Sequence, residues 1–369
     1  MTARLAALVL GLGLVLGVAA CGDDETTGGG TTTAAGTTTG GAAEVTLKLG
    51  YVTTPQHPYG IAVDAFVEEV ATASGGRIAI QTIPNYGGDI PLLNDVQGGT
   101  VEMATVSSAV WDTKGVKSFQ ALQAPFLVNR LDLEDQVISG EIGQEMLQGV
   151  EKLGLVGLAI HEGGLRKPLG RAKALKNPAD FKGLKIRAPE SGVLSEGLKA
   201  LGAEPTPLPV TDVYLALKNG TVDGMEANLG LIDTNKYYEV AKFVTQNVNL
   251  WPFPTVLVAN KAAFDALSAE DQQIITDAAA KVPSLSIEIF TNPPPTATNF
   301  VQSLCDKGLT FAFASDADQA ALQDAAKTAI ANLSEDPEVK DFIERIQAIK
   351  DGLPAPATPP ALPAGCKKA

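Results

Sequence analysis

The sequence predicts an α/β fold in two domains, each built on a mostly parallel sheet flanked by helices. Three observations predict it. From Glu44 onward, short runs of apolar–polar alternation take turns with helical patterns across brief connections, and parallel strands need helix-length crossovers between them. The alternation comes round twice, first over 44–163 and again over Lys182–Asn228. With 369 residues, the chain is also longer than one hydrophobic core usually serves.

At the amino terminus, Met1-Thr2-Ala3-Arg4 is a short positive segment. Leu5 to Val18 is apolar but too short to span a bilayer as a mature helix. Ala19-Ala20-Cys21 follows and resembles a lipobox, with Val18 in place of the usual leucine. Residues 1–20 are therefore expected to be a lipoprotein signal peptide, cleaved before Cys21 with lipidation of its thiol. The alternative is an ordinary secretory peptide whose cysteine is incidental. Residues 21–43 are rich in Gly, Thr and Ala and form no apolar face, so they are expected to be a disordered tether reaching about 25 Å from the membrane. The formal net charge is −14, and loss of Arg4 makes it one unit more negative. So acidic a surface excludes nucleic acid and electrostatic docking on anionic lipid. An aromatic content of 5% argues against an aromatic-lined sugar groove.

In chain order, Val45–Val52 alternates as a strand and ends in Thr53-Thr54-Pro55. Pro58–Ser74 reads as a helix with Ile61, Ala62, Ala65, Phe66 and Val70 on one face, closed by Gly75-Gly76. Strand Arg77–Ile83, turn Asn85-Tyr86-Gly87-Gly88, helix Pro91–Gln97 and strand Val101–Ser107 repeat the order. The loop from Val106 to Trp111 follows a strand, so Ser107 and Trp111 either face a cleft or belong to plain loop and core. Helix Ile142–Leu153 and strand Leu155–His161 complete the first domain.

In the second block, the strand Leu184–Arg187 runs into Pro189, which cannot donate to a ladder. Ser191 offers an N-cap to a helix burying Val193, Leu194, Leu198 and Leu201, which Gly202 closes. Glu204–Val210, with Pro205, Pro207 and Pro209, must be extended. A helix to Asn219, Gly220 as its cap and strand Thr221–Met225 follow. Arg187 thus ends a strand, where α/β sheets usually place ligand groups. Its planar fork suits a carboxylate through two parallel charge-assisted hydrogen bonds. After Trp251-Pro252-Phe253-Pro254, strand Thr255–Asn260 is expected to return to the first domain. Helices are expected over Lys261–Leu267, Glu270–Val282, Ala321–Asn332 and Val339–Ile349, with an extended Pro- and Ala-rich tail at Leu353–Pro363.

The segments GLKIRAPES, LKALGAEPTPLPVTDVYLALKNGTVDGMEAN and NKYYEVAKFVT resemble the solute-binding subunit of TRAP (tripartite ATP-independent periplasmic) transporters, the DctP-type family, with weaker similarity from about Leu47 to Leu333. The resemblance implies two lobes with a ligand cleft between them: 44–163 with 253–291 as one lobe, 164–252 with 292–350 as the other, and 351–369 as a tail. It places Arg187 against the carboxylate of a small organic acid. It also makes Arg166, in Gly164-Leu165-Arg166, a second family arginine, although Lys167 and Arg171 beside it also suit a solvated basic turn. Ala227 and Asn228 depart from the family pattern D-G-x-E-x-P, and Asn228 becomes the candidate second polar contact. Glu226 is expected to orient an arginine or a hydroxyl. The family usually has one long helix beneath both lobes, and here Asn292-Pro293-Pro294-Pro295 interrupts that position, since three prolines cannot lie within a straight helix.

Of the three cysteines, Cys21 is assigned to the lipid. Cys305 and Cys366 remain in an oxidising compartment and are expected to close into a disulfide, with two unpaired thiols as the alternative. No G-x-S-x-G elbow, H-E-x-x-H, phosphate loop or metal-ligand spacing occurs. His57 and His161, the only two histidines, are expected to be structural or cleft-lining hydrogen-bonders. The expected protein is a monomeric binding protein without a cofactor. It would be tethered outside the cytoplasmic membrane, would close over an organic acid and would deliver it to the small and large integral-membrane TRAP subunits. A binding subunit of an ATP-driven importer or sensor, or an extracytoplasmic hydrolase, are the alternatives.

Overall fold

A computed structural model describes residues 43–291, 298–356 and 361–369. The signal segment, Cys21, the tether, the Asn292–Pro295 run and part of the tail lie outside the described residues.

Strand β1 (Val45–Tyr51), helix α1 (Pro58–Ala73), β2 (Ile78–Ile83), α2 (Asp89–Gly98) and β3 (Met103–Ser107) form the expected alternating start. Pro58 stands at the first turn of α1, where its missing N–H costs nothing, and the His57 imidazole caps that turn by accepting the Tyr59 N–H. Gly99, at φ 74°, closes α2 in the left-handed region. Then come α3 (Leu131–Ile138), α4 (Glu141–Gln148) and β4 (Leu155–His161).

The chain crosses over and continues through β5 (Lys167–Gly170), α5 (Pro178–Phe181), β6 (Lys185–Ala188), α6 (Gly192–Ala200), β7 (Glu204–Pro207), α7 (Val213–Asn219), β8 (Gly224–Ala227), α8 (Leu229–Thr234) and β9 (Phe243–Thr245). It returns as β10 (Thr255–Asn260) and continues through α9 (Lys261–Asp265), α10 (Ala269–Ala280) and α11 (Val282–Thr291). Helix α12 (Phe300–Asp306), β11 (Thr310–Ala312), α13 (Asp316–Leu333), α14 (Pro337–Gly352) and β12 (Lys367–Lys368) close the sequence.

Two sheets result. The first has the order β2-β1-β3-β10-β4, with β1 parallel to β2 and β3 and the returning β10 antiparallel between β3 and β4. The second has the order β12-β11-β9-β5-β8-β6-β7 and is parallel except around β5. Each sheet is covered on both faces. Leu49, Tyr51, Ile78 and Leu257 bury one face of the first against Phe66 and Ile275, while Ala104, Val106, Val256 and Val258 bury the other against Leu92 and Val137. In the second sheet, Met225, Val244 and Phe311 face Leu217 and Leu304, and Ile186 and Ala188 face Leu194, Leu198 and Trp251.

Two differences from the expected lobe boundaries stand out. Helix α14, expected in the second lobe, buries Val339, Phe342, Ile343 and Ile346 in the first lobe's core. Arg345 holds it there through two bonds to Glu145, at 2.5 and 2.8 Å. The expected tail also returns to the second lobe: β12 pairs with β11, and Cys366 is disulfide-bonded to Cys305 with Cα atoms 4.7 Å apart. An apolar stripe on a helix shows that one face is buried, but not which neighbour buries it.

Candidate functional site

The two lobes meet where 162–166 and 250–254 run side by side. Arg166 N–H donates to the Trp251 carbonyl and Leu250 N–H to the Arg166 carbonyl, both at 2.8 Å. A side chain at Gly163 would collide with the Phe253 carbonyl and the Tyr59 hydroxyl. Gly164, at φ 91°, adopts a backbone that side chains disfavour and lies against Asn228. The crossover is tight because it is built of glycine.

Beside it lies a cleft lined by residues of both lobes, including Thr53, His57, Asp89, Arg166, Arg187 and Asn228. Most of them follow the carboxyl end of a strand: Thr53 after β1, Asp89 after β2, Arg187 near the end of β6, Asn228 after β8. Open α/β sheets bind ligands at such ends.

On the second lobe, the antiparallel pairing of β5 with β8 brings Arg166 to Glu226. Arg166 donates Nε–H to the Glu226 carboxylate and Nη2–H to the Glu226 carbonyl, the latter at 2.8 Å. Its guanidinium also lies 4.4 Å from the centre of the Phe253 ring. Arg166 is only 2% exposed, so the solvated basic turn is corrected: β5 draws the side chain inward. Arg187 donates Nε–H and Nη2–H to the Leu208 carbonyl, at 3.0 and 2.7 Å. Its Nη1 stands 4.0 Å from the other Glu226 oxygen, which makes no hydrogen bond among the described residues. Burial pulls the Arg187 pKa down and the Glu226 charge pushes back, yet a guanidinium keeps its proton under all ordinary conditions. With its Nε edge anchored, Arg187 presents Nη1–H and one Nη2–H to the cleft, an end-on fork of the spacing a carboxylate accepts.

Asn228 spends one N–H on the Gly163 carbonyl and its oxygen on the Leu231 N–H, at 2.5 and 2.7 Å, and keeps a second N–H to give. Ser107 lines the cleft from the end of β3. Its Oγ accepts the Ala109 N–H at 3.2 Å, which leaves its hydroxyl proton to donate. Trp111 is corrected: it is fully buried in the first lobe's core, 5.8 Å from the Phe119 ring centre, and does not line the cleft. The helical turn at Val110–Lys114 swings it inward.

Sequence reasoning passed over Thr53, Asp89 and Tyr59 as site residues. Their common signal is position, at or just beyond a strand's carboxyl end or in the first turn of the helix that follows. Asp89 begins α2 and accepts the Ser107 N–H at 2.8 Å. Burial pushes its carboxyl up to about 6, against the pull of that bond and of Arg187. Because the His57 Nδ1 accepts the Tyr59 N–H, the neutral ring carries its proton on Nε2, which has no partner among the described residues. Burial lowers the His57 pKa to about 3, with the Asn228 side chain opposing, so the ring is neutral at pH 7. Thr53 Oγ1 also lacks a partner there.

Behind the crossover, Glu162 accepts the Gly164 N–H while its own N–H donates to Ser286 Oγ of α11, at 2.8 Å. The Glu134 carboxyl of α3 faces it, and both residues are fully buried. Burial raises both above the ordinary carboxyl range. The Glu162 charge raises Glu134 further, so Glu134 holds the proton of the pair.

The cleft encloses about 30 Å³, room for about two waters, so the lobes are shut on one another. A wider groove of about 450 Å³ lies elsewhere, but its charged lining is Asp112, Glu196 and Asp336, which would repel a carboxylate. No helix among the described residues is long and apolar enough to cross a membrane.

The model of the family described as bacterial extracellular solute-binding protein, family 7, matches residues 49–336. A solute-binding protein of Roseobacter denitrificans is 33% identical over 311 residues, 83% of this chain and 91% of its own. The C4-dicarboxylate-binding periplasmic protein of Rhodobacter capsulatus is 31% identical over 231 residues, covering 62% of this chain and 69% of that one. Among solved structures, the sugar acid binding protein of Advenella mimigardefordensis in complex with galactonate superposes with a TM-score of 0.77 at 27% identity, covering 85% of this chain and 99% of that one.

Proposed function

The chain belongs to bacterial extracellular solute-binding protein family 7, and from that premise we propose that its cleft captures a small organic acid by the carboxylate on Arg187. The protein is the extracytoplasmic solute-binding component of a TRAP-type transporter, and it hands its acid to the membrane subunits.

One observation carries the residue assignment: the Arg187 guanidinium is anchored by Leu208 and leaves its Nη1/Nη2 edge open to the cleft. Glu226 neutralises the pair of arginines only in part, because its single charge faces two guanidiniums. A bound carboxylate supplies the missing charge. Asn228 and Ser107 add donors from opposite walls. Arg166 acts as the inner support, fixing Glu226 rather than meeting the ligand first. A site this closed admits a ligand only when the lobes part, so binding is a hinge motion about the glycine crossover.

The test is calorimetry with the acid identified by mass spectrometry of co-purified small molecules. Arg187→Ala should lower affinity by roughly 3–5 kcal/mol, and Arg187→Lys should recover only part, because a point charge cannot replace the fork. Wild-type affinity in folded Arg187→Ala would overturn the assignment.

Cys21 is the proposed lipid anchor, with 21–43 as the tether that holds the monomer near its small and large membrane subunits. The lipobox-like Ala19-Ala20-Cys21 supports it. Cys21→Ser should release the protein from carbonate-washed membranes, and a variant that still sediments with them would refute the anchor.

A further inference from the structure

We propose that the first lobe's wall makes the cleft select acids bearing hydroxyl groups beyond the carboxylate, of the aldonate or uronate kind, over unsubstituted dicarboxylates. The inference rests on the carboxylate standing on Arg187, which leaves the rest of the ligand facing Thr53, His57 and Asp89 across the cleft.

Those three groups differ in kind from the opposite wall. Both arginines lining the cleft come from the second lobe, and the first lobe lines it with no lysine or arginine. Its one charged contribution is Asp89, whose Oδ1 accepts the Ser107 N–H while Oδ2 makes no hydrogen bond among the described residues. No cation is clamped to it as Arg166 is clamped to Glu226. The His57 Nε2–H and the Thr53 hydroxyl are buried, 1% and 6% exposed, and neither has a partner among the described residues. Buried polar atoms are normally paired, and those left over at a binding wall are completed by the ligand.

A hydroxyl group both gives and takes. It can donate to Asp89 Oδ2 while accepting from His57 Nε2–H or Thr53. A second carboxylate can only accept, and it would meet Asp89 with no cation ion-paired to the Asp89 carboxylate among the described residues. Like charges brought together in a water-poor cleft are strongly unfavourable, and a ligand lacking the hydroxyls leaves the buried His57 Nε2–H and Thr53 hydroxyl unpaired. Chain length is held fixed by comparing hydroxy acids with a dicarboxylate of the same number of carbons.

The experiment is titration calorimetry on the purified protein dialysed free of ligand, with D-galactonate and D-gluconate against succinate and adipate. The hydroxy acids should bind at least tenfold more tightly than adipate, which has the same number of carbons. Asp89→Asn, which can still accept the Ser107 N–H, should shrink that ratio at least tenfold. It should do so by weakening the hydroxy acids and strengthening the dicarboxylates. Thr53→Val, nearly the same shape, should lower hydroxy-acid affinity several-fold and leave adipate unchanged. If adipate or succinate binds as tightly as the hydroxy acids and still needs Arg187, the selectivity is overturned while the carboxylate site stands. If no acid of either class binds, the carboxylate site falls with it. A ratio that Asp89→Asn leaves unchanged removes Asp89 from the argument and overturns the proposal.

Discussion

Arg166 and Arg187 share one carboxylate on unequal terms, and that inequality separates folding from binding. Glu226 is fully buried and bonded to Arg166, whereas Arg187 stands 4.0 Å from its free oxygen. Removing Arg166 leaves Glu226 without its bonded partner, a loss of about 3–5 kcal/mol. Arg166→Ala should therefore lower the melting temperature sharply, while Arg187→Ala should lower it much less because the inner pair survives. Paired thermal melts of the two ligand-free variants check this, and equal losses would show that the arginines are interchangeable supports. The position of Arg187 was legible because Pro189 ends its strand. That Glu226 orients an arginine was expected, but that the arginine is Arg166 was not legible, because Glu226 lies 60 residues on and only the pairing of β5 with β8 joins them. Strand β5 itself hid behind Pro168 and a flanking lysine. Trp111 misled for a related reason: following a strand places a residue near a cleft, but a single helical turn can point its ring the other way.

At the scale of elements, the alternation of strand and helix could be read almost throughout, while the sheet partners could not. Strand β10 was assigned to the first lobe, yet nothing in Thr255–Asn260 announces that it enters antiparallel between β3 and β4. Long-range pairing is set by the whole sheet and not by a strand's own residues. The short strands β9, β11 and β12 are too brief to show a period. The last of these is fastened by Cys305–Cys366, which joins residues 61 positions apart in the sequence. Loop-closure entropy assigns such a crosslink up to about 4 kcal/mol, a value engineered examples often fall short of. Cys366→Ser should lower the urea midpoint and leave acid affinity unchanged. The reason is that β12 lies at one edge of the second sheet and the Arg187-bearing β6 lies near the other. An affinity loss matching the stability loss would mean that the tail reaches the cleft.

For the whole molecule, two lobes were legible from length and repetition, and the ownership of α14 was not. The chain threads the lobes repeatedly: β10 and α14 complete the first after the second has begun, and β12 completes the second last of all. Charge is also a property of the whole fold. The formal count of −14 treats every carboxylate as ionised, but the Glu134–Glu162 pair keeps a proton that the unfolded chain, with carboxyls near pKa 4.3, gives up. The folded protein is thus less acidic than its composition. Refolding at pH 7 should take up a proton at this pair, partly offset because His57 and His161, neutral in the fold, give up the fraction they carry in the unfolded chain. The net uptake is seen as a folding enthalpy that differs between phosphate and Tris. Because the native state binds the extra proton, this pair's contribution favours folding at pH below about 4 and declines as pH rises from there through the raised native value. Glu134→Gln should flatten that slope and lower the uptake. Glu162 also accepts the Gly164 N–H of the crossover, so the residue that shares this proton is one that fastens the joint between the lobes.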